Sequence, residues 1–134
     1  MLSLADVLEL PVVRRALPEL VTGGVDGELR WSHVIEMRDP DDLLKGGELV
    51  LTTGLGAGDE PGHQAAWISS LLEQGMAALA VELGTSWRVV PGVVVDACAA
   101  AGVPVVAFHR AVRFIEITEA IHRDRKSTRL NSSH

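Results

Sequence analysis

Hydroxyl, carboxylate, imidazole and guanidinium side chains follow three apolar segments whose composition is typical of buried parallel strands. Because ligands of open parallel α/β sheets bind at the carboxyl ends of the strands, these positions are the first candidates for chemistry. They are Thr52, Thr53 and Gly54 after the first segment, Glu82 and Gly84 after the second, and His109 and Arg110 after the third. We call these residues the strand-end rim. Its donors and acceptors suit a small polar molecule. The alternative is ordinary loop polarity, in which Glu82 caps the following loop and His109 bonds to a local carbonyl.

The glycine-rich segment 54–58 stands between an apolar run and a helical pattern, where a nucleotide-binding loop would lie. A dinucleotide loop requires a third glycine at position 59 or 61, and Asp59 and Pro61 occupy those positions. No Lys-Ser or Lys-Thr pair follows, so the P-loop pattern is absent too. Asp59 and Glu60 put carboxylates where a phosphate would lie at the helix start. The sequence therefore favours a flexible turn over phosphate binding.

Catalytic and metal-binding patterns are missing from the sequence. Neither the HExxH pattern of zinc proteases nor the GxSxG pattern of serine hydrolases occurs, and none of the histidines shares the i, i+4 spacing of a metal pair. The single cysteine, Cys98, stands among alanines and is predicted to be a small buried hydrophobic residue. We therefore expect neither an enzyme nor a metal or cofactor site.

Composition is that of one globular domain, with 134 residues, 47% of them hydrophobic and 22% charged. The net charge is −6, and residues 1–123 alone, with nine basic and seventeen acidic side chains, carry −8. A domain with this negative charge lacks the basic surface that binds a phosphate backbone, which argues against direct nucleic-acid binding. No apolar run is long enough to span a membrane and no secretory signal is visible, so we expect a cytoplasmic protein that does not contact membranes.

Apolar runs of strand type alternate with helical patterns over most of the chain. The predicted strands cover 48–53, 77–83 and 103–108, and the predicted helices cover 61–74, 91–101 and 114–123. The helix at 61–74 has Ala65, Ile68, Leu71 and Leu72 on its inner face. This alternation predicts parallel strands joined by right-handed crossovers. The fold class is therefore α/β, a small and mainly parallel sheet of four to five strands with flanking helices in a single domain.

The first 45 residues are less regular. Ser3 and Asp6 form the pattern of a capping box at the start of a helix over 4–10, and prolines limit 12–17 to a short turn. Residues 19–22 are predicted to be a strand. The Gly-Gly and Asp-Gly pairs that follow it indicate a hairpin into a second strand over 29–37. One helical turn is expected around Leu43 and Leu44.

Residues 124–134 differ from the rest of the chain. They include the only Asn, one of the two lysines and no apolar periodicity. The eleven residues also resemble the translation of a common sequencing-adapter oligonucleotide. We therefore predict a native domain over 1–123, followed by a non-native disordered tail at 124–134, with the native gene continuing beyond it.

Five segments together resemble the N-terminal domain of the PucR family of bacterial transcription regulators, named for the control of purine catabolism. They are 31–34 (WSHV), 44–54 (LKGGELVLTTG), 75–80 (GMAALA), 102–106 (GVPVV) and 114–119 (FIEITE). The second segment is the most specific, and the others support it by their order. The resemblance spans about residues 3–122.

This resemblance implies a sensory or regulatory domain that belongs to a regulator with a C-terminal DNA-binding helix-turn-helix. It implies a small polar effector, a ureide or purine-derived metabolite, and DNA contact only through that further domain. No catalytic residue or cofactor is carried over. The alternative function is a dimerisation or protein-interaction module of the same regulator with no small-molecule ligand, and self-association is expected.

Overall fold

In the computed structural model, the backbone is described for residues 1–132 and side chains for residues 1–124. This part of the chain forms a five-stranded sheet and five helices. In chain order they are α1 (Leu4–Leu8), α2 (Pro11–Arg15), β1 (Pro18–Thr22), β2 (Trp31–Val34), β3 (Glu48–Thr52), α3 (Pro61–Glu73), β4 (Ala78–Glu82), α4 (Gly92–Ala100), β5 (Val105–Phe108) and α5 (Phe114–Ser132). Among the described residues, no helix combines the length and apolar character that crossing a bilayer requires.

The sheet has the order β1-β5-β4-β3-β2, with β2 to β5 parallel and β1 antiparallel to β5. The predicted class, a small and mainly parallel α/β sheet, is confirmed. The predicted hairpin between the first two strands is wrong, because β1 and β2 lie at opposite edges. The segment between them passes along the N-terminal residues instead. Ala5 donates its amide to Val25, and Leu29 donates its amide to Leu2.

Both faces of the sheet are covered, which explains why its central strands are apolar throughout. Every residue of β3, β4 and β5 is buried. Side chains alternate along each strand, so Val50 packs into the cluster beneath α3 and α4, whereas Leu49 packs into the cluster beneath α1, α2 and α5. We call these the α3/α4 face and the α1/α2/α5 face.

The helix α3 closes the first of these faces with Trp67, Ile68 and Leu71, all fully buried. Of the predicted inner positions, Ile68 and Leu71 are confirmed, whereas Ala65 and Leu72 are only half-buried. The prediction missed Trp67, whose ring packs edge to face on that of Trp87, with 6.4 Å between the ring centroids. The two indoles fill volume that the aliphatic pattern alone does not reveal.

A loop before β3 replaces the predicted helical turn. The amides of Leu43 and Leu44 donate to Oε1 of Gln74, each at 2.8 Å. The buried carboxylate of Glu48 accepts the amides of Lys45 and Gly46 at 2.7 and 2.8 Å. No helical turn forms there because side chains, not helical carbonyls, satisfy these amides.

At the chain ends, the capping box is confirmed: the Asp6 amide donates to Ser3 Oγ at 3.2 Å, and the Ser3 amide donates to Asp6 Oδ2 at 2.9 Å. α1 ends at Leu8, two residues before the prediction, and α5 runs past the predicted end at residue 123. The side chains of 125–134 lie outside the described residues, so the proposal of a foreign tail at 124–134 stays a prediction.

Candidate functional site

The hydroxyls at the end of β3 are bound to a carboxylate from the segment that follows the edge strand β2. Glu36 accepts hydrogen bonds from Thr52 Oγ1 at 2.6 Å, from Thr53 Oγ1 at 2.6 Å, and from the Thr53 amide at 2.9 Å. Thr52 is fully buried, and its Oγ1 also accepts the Gly54 amide at 3.0 Å. Both hydroxyls of the rim are therefore committed to Glu36, which is not among the predicted site residues.

The glycine-rich loop 54–58 is a turn, as predicted, but its glycines serve close packing more than flexibility. A Cβ at Gly54 would lie 2.4 Å from the Trp87 ring, and one at Gly56 would lie 2.0 Å from the Met37 carbonyl oxygen. The Gly58 carbonyl accepts the Trp87 Nε1–H at 3.0 Å. The loop is thus packed between two neighbouring segments.

Two side chains of α3 contact the carbonyl groups of the same loop. Gln64 Nε2 donates to the Gly58 oxygen at 2.7 Å, and His63 Nε2 lies 3.1 Å from the Gly56 oxygen. A phosphate loop presents amides to an anion. Here the contacts from α3 are made to carbonyl oxygens, which fits a structural turn.

Glu82, at the end of β4, fixes the loop that follows it. Its carboxylate accepts Thr85 Oγ1–H at 2.7 Å and the Val112 amide at 2.9 Å, and the side chain is almost fully buried. Gly84 has a φ of +102° and donates its amide to the Trp87 carbonyl at 2.8 Å. These contacts are those of the structural alternative for Glu82, with Gly84 supplying a left-handed turn.

His109 and Arg110 follow β5 and are exposed. The imidazole Nε2 lies 2.7 Å from Oε1 of Glu19. The two backbone amides donate to Leu17 at 3.3 Å and to Ala16 at 3.0 Å. The end of β5 is therefore attached to the segment that joins α2 to β1.

The rim residues lie at the carboxyl ends of the strands, but they are divided between the two faces of the sheet. Thr52 is in register with Val81, which packs on the α3/α4 face. Glu82 is in register with Phe108, which packs on the α1/α2/α5 face. The sheet thus separates the hydroxyl of Thr52 from the carboxylate of Glu82.

An open cleft of about 350 Å³ lies on the α1/α2/α5 face, between α2 and the start of α5. It is lined by Val12, Arg15, Ala111, Val112, Arg113 and Glu116. None of these residues was predicted as a site. The available signal was the spacing of basic residues: in a segment of net −8, four of nine fall at positions 14, 15, 110 and 113. Only the fold brings one member of each pair, Arg15 and Arg113, to the same cleft.

Metal or thiol chemistry finds no support in the described part of the chain. No group of three His, Cys, Asp or Glu side chains there is arranged to hold a metal ion. Cys98 is fully buried, as predicted, and this burial raises the pKa of its thiol to about 11. At neutral pH the thiol is protonated and inaccessible, so it is a packing residue.

Comparison with known proteins gives one structural and one family match. The chain resembles the crystal structure of the CBS and DRTGG domains of the regulatory region of Clostridium perfringens pyrophosphatase in complex with its activator, diadenosine tetraphosphate, with a TM-score of 0.49 and 15% identity. The alignment covers 81% of this chain and 44% of that one, so the chain spans less than half of its length. No curated protein matches. The family model described as "Purine catabolism regulatory protein-like family" matches residues 6–124, and the chain therefore belongs to this family, PucR.

Proposed function

We propose that this chain is the small-molecule-sensing regulatory domain of a PucR-type bacterial transcription regulator. The observation that carries the proposal is the family match over residues 6–124, which includes all five strands. A regulatory role agrees with the absence of catalytic motifs from the sequence. In this role the domain works in the cytoplasm, where it binds an effector and passes the signal to the rest of the regulator.

Several contacts support a non-enzymatic role. The hydroxyls of Thr52 and Thr53 donate to a carboxylate, and no hydrogen bond joins them to an imidazole among the described residues. The thiol of Cys98 is buried and protonated. A nucleophile needs an adjacent base and access to substrate, and these three groups lack one or both. The domain requires no cofactor in this proposal.

The effector proposed is a small polar metabolite, a ureide or a purine-derived compound, in keeping with the family's description. A thermal-shift screen with allantoin, allantoate, hypoxanthine and urate tests it, with glycerol as the neutral control. An effector at about 100 times its dissociation constant adds about 2.7 kcal/mol of stability, which is a clear rise in melting temperature. If none of these compounds, and none in a wider set of amino acids, monocarboxylates and dicarboxylates, raises it, ligand sensing is refuted.

A second candidate function, dimerisation without a ligand, is favoured by the edge strand β2. Trp31, Val34 and Met37 are 39%, 44% and 50% exposed along this edge. An exposed apolar edge strand is a template for pairing with another chain. Sedimentation equilibrium distinguishes the functions: a dimer that Val34→Lys dissociates supports this candidate. Val89→Lys, at a 71% exposed position on a different loop, is the matched control and should leave the dimer intact.

DNA recognition belongs, in this proposal, to a further domain of the regulator. The net charge of −8 over residues 1–123 supports that assignment. We expect no binding of duplex DNA by this chain in fluorescence anisotropy at physiological salt, and submicromolar binding would contradict it.

A further inference from the structure

The cleft between α2 and α5 is lined by three charged and three apolar residues. Arg15 ends α2, and Arg113 immediately precedes α5, where its carbonyl accepts the amides of Glu116 and Ile117. Val12 and Val112, both half-buried, supply apolar lining. The hydrogen bonds of residues 109 and 110 to the end of α2 hold the two sides together.

The two guanidinium groups of this cleft belong to Arg15 and Arg113, which are both exposed. Among the described residues, neither Arg15 nor Arg113 forms an ion pair or a side-chain hydrogen bond, although Glu116 lines the same cleft. By contrast, Arg14 pairs with Glu9 at 3.7 Å, outside the cleft. Two unpaired arginines in a strongly acidic domain leave a local site with donors to spare.

The lining selects among anions. A guanidinium binds a planar carboxylate through two parallel hydrogen bonds. Val12 and Val112 favour a ligand with an organic body, because contact with a hydrated inorganic ion gains nothing from apolar surface. Glu116 repels a second negative charge and can accept a hydrogen bond from a donor on the ligand. The cleft volume of about 350 Å³ is within the range of small-molecule sites.

We propose that this cleft binds a small organic monocarboxylate, held by Arg15 and Arg113, with a hydroxyl or amino group of the ligand donating to Glu116. The proposal rests on the ligand-sensing function proposed above and moves the binding site from the strand-end rim to the α2–α5 cleft. A ligand that joins both arginines links α2 to the first turn of α5. Binding therefore stabilises the position of α5 relative to the sheet.

Isothermal titration with the full chain tests the proposal. The probes are lactate, 3-hydroxybutyrate and 4-aminobutyrate, each at up to about 10 mM and constant ionic strength, with lactamide and inorganic phosphate as comparisons. We expect at least one carboxylate to bind and lactamide to fail. Arg15→Gln and Arg113→Gln should each weaken binding at least about tenfold. Arg88→Gln, at an exposed position outside the cleft, should leave it unchanged.

The outcomes separate this proposal from the function on which it rests. Phosphate binding as tightly as the carboxylates would show a site for charge alone and overturn the assignment. If no carboxylate binds, allantoate included, the proposal is also overturned, whereas binding of allantoin, hypoxanthine or urate to the same chain leaves the sensing function in place. Carboxylate binding that His109→Ala abolishes, and the two arginine variants do not, returns the site to the strand-end rim. Unchanged melting temperatures of the variants show that each result concerns binding and not folding.

Discussion

The α3/α4 face is closed by helices of 13 and nine residues, whereas two five-residue helices and α5 cover the opposite face. On the first face two tryptophans fill the space between sheet and helices, and the glycine loop 54–58 packs against them. On the second face the short helices leave a cleft whose two arginines form no ion pair with the described residues. Both faces bury the same kind of apolar strand residue, so the difference arises from the connections and not from the sheet.

The comparison shows where the family-like segment 44–54 acts. Its carboxylate at Glu48 fixes the preceding loop, and its hydroxyls at Thr52 and Thr53 bind Glu36. Each of these polar groups is used within the protein, so this segment is explained by folding. On the other face, the cleft arginines Arg15 and Arg113 lie outside all five family-like segments.

The largest expected loss of stability comes from adding one methyl group to loop 54–58, which packs against the α3/α4 face. In Gly56→Ala the new Cβ would lie 2.0 Å from the Met37 oxygen and 2.8 Å from the Glu36 oxygen. Both are backbone atoms, so the loop must move. We expect a loss of about 3 kcal/mol or more in the free energy of unfolding, measured by urea denaturation.

The matched control for this substitution is Gly62→Ala in α3, where no atom lies within 4 Å of the added Cβ. Alanine is the better helix former, so this variant should be neutral or slightly stabilised. Equal stability of the two variants would contradict the closed packing of loop 54–58.

Removal of the carboxylate that binds the β3 hydroxyls is the next largest effect. Glu36→Ala leaves Thr52 Oγ1, which is fully buried, without its acceptor, and it takes two acceptors from Thr53. The expected loss is about 2–3 kcal/mol in urea denaturation, since hydrogen bonds to charged groups are among the stronger ones. Glu73→Ala, at the exposed end of α3, is the control and should change stability by about 0.5 kcal/mol or less. A loss at Glu36 no larger than that would show that the network contributes nothing.

A weaker contact joins α5, on the α1/α2/α5 face, to the edge strand β2. Ser32 Oγ lies 3.0 Å from Thr118 Oγ1 and connects β2 to α5. Ser32→Ala should cost about 1 kcal/mol, because it leaves Thr118 without this partner. A double-mutant cycle with Thr118→Val measures the coupling, and the double variant should recover part of the loss. Strict additivity of the two substitutions would show that α5 is positioned without this hydrogen bond.

The fold was predictable where burial on both faces produced continuous apolar strands. The runs that became β3, β4 and β5 and the proline-initiated α3 follow from period and helix-start rules alone. The pairing of β1 was not predictable, because local turn signals favour a hairpin while the register with β5 depends on residues some 85 positions away. Trp67 was missed for a similar reason: its place opposite Trp87 is a tertiary contact.

For the candidate site, the sequence predicted only which residues follow the carboxyl ends of the strands. The rule on carboxyl ends brings the rim residues to one edge, but it contains no information about their partners. Glu36 and Glu19 come from other segments. Glu36 accepts the hydroxyl of Thr52, and Glu19 is the partner of His109, so neither rim group is free for a ligand. Arg15 and Arg113 become neighbours only because the end of β5 bonds to the end of α2.

The smallest effect expected near neutral pH concerns Cys98, on the buried side of α4 within the α3/α4 face. Burial raises the pKa of this thiol from its ordinary value of 9.0 to about 11. Below pH 9 both folded and unfolded chains hold the proton, and stability does not depend on it. Between pH 9 and 11 the unfolded chain releases the proton while the folded chain keeps it, so stability falls as pH rises through this window. Few other side chains titrate there, since the sequence has no tyrosine and two lysines.

Urea denaturation at pH 8 and pH 10 therefore measures how well the closed face excludes water around this thiol. Wild type should lose stability between the two values, whereas Cys98→Ala, although less stable at both, should lose less. The thiol should also react with a disulfide reagent only as fast as the protein opens, because the native chain offers neither access nor thiolate. Rapid labelling of the native chain at pH 8, or equal pH dependence in both proteins, would mean that the α3/α4 face admits solvent. The contrast with the open α2–α5 cleft would then be one of charge, with both faces accessible to small molecules.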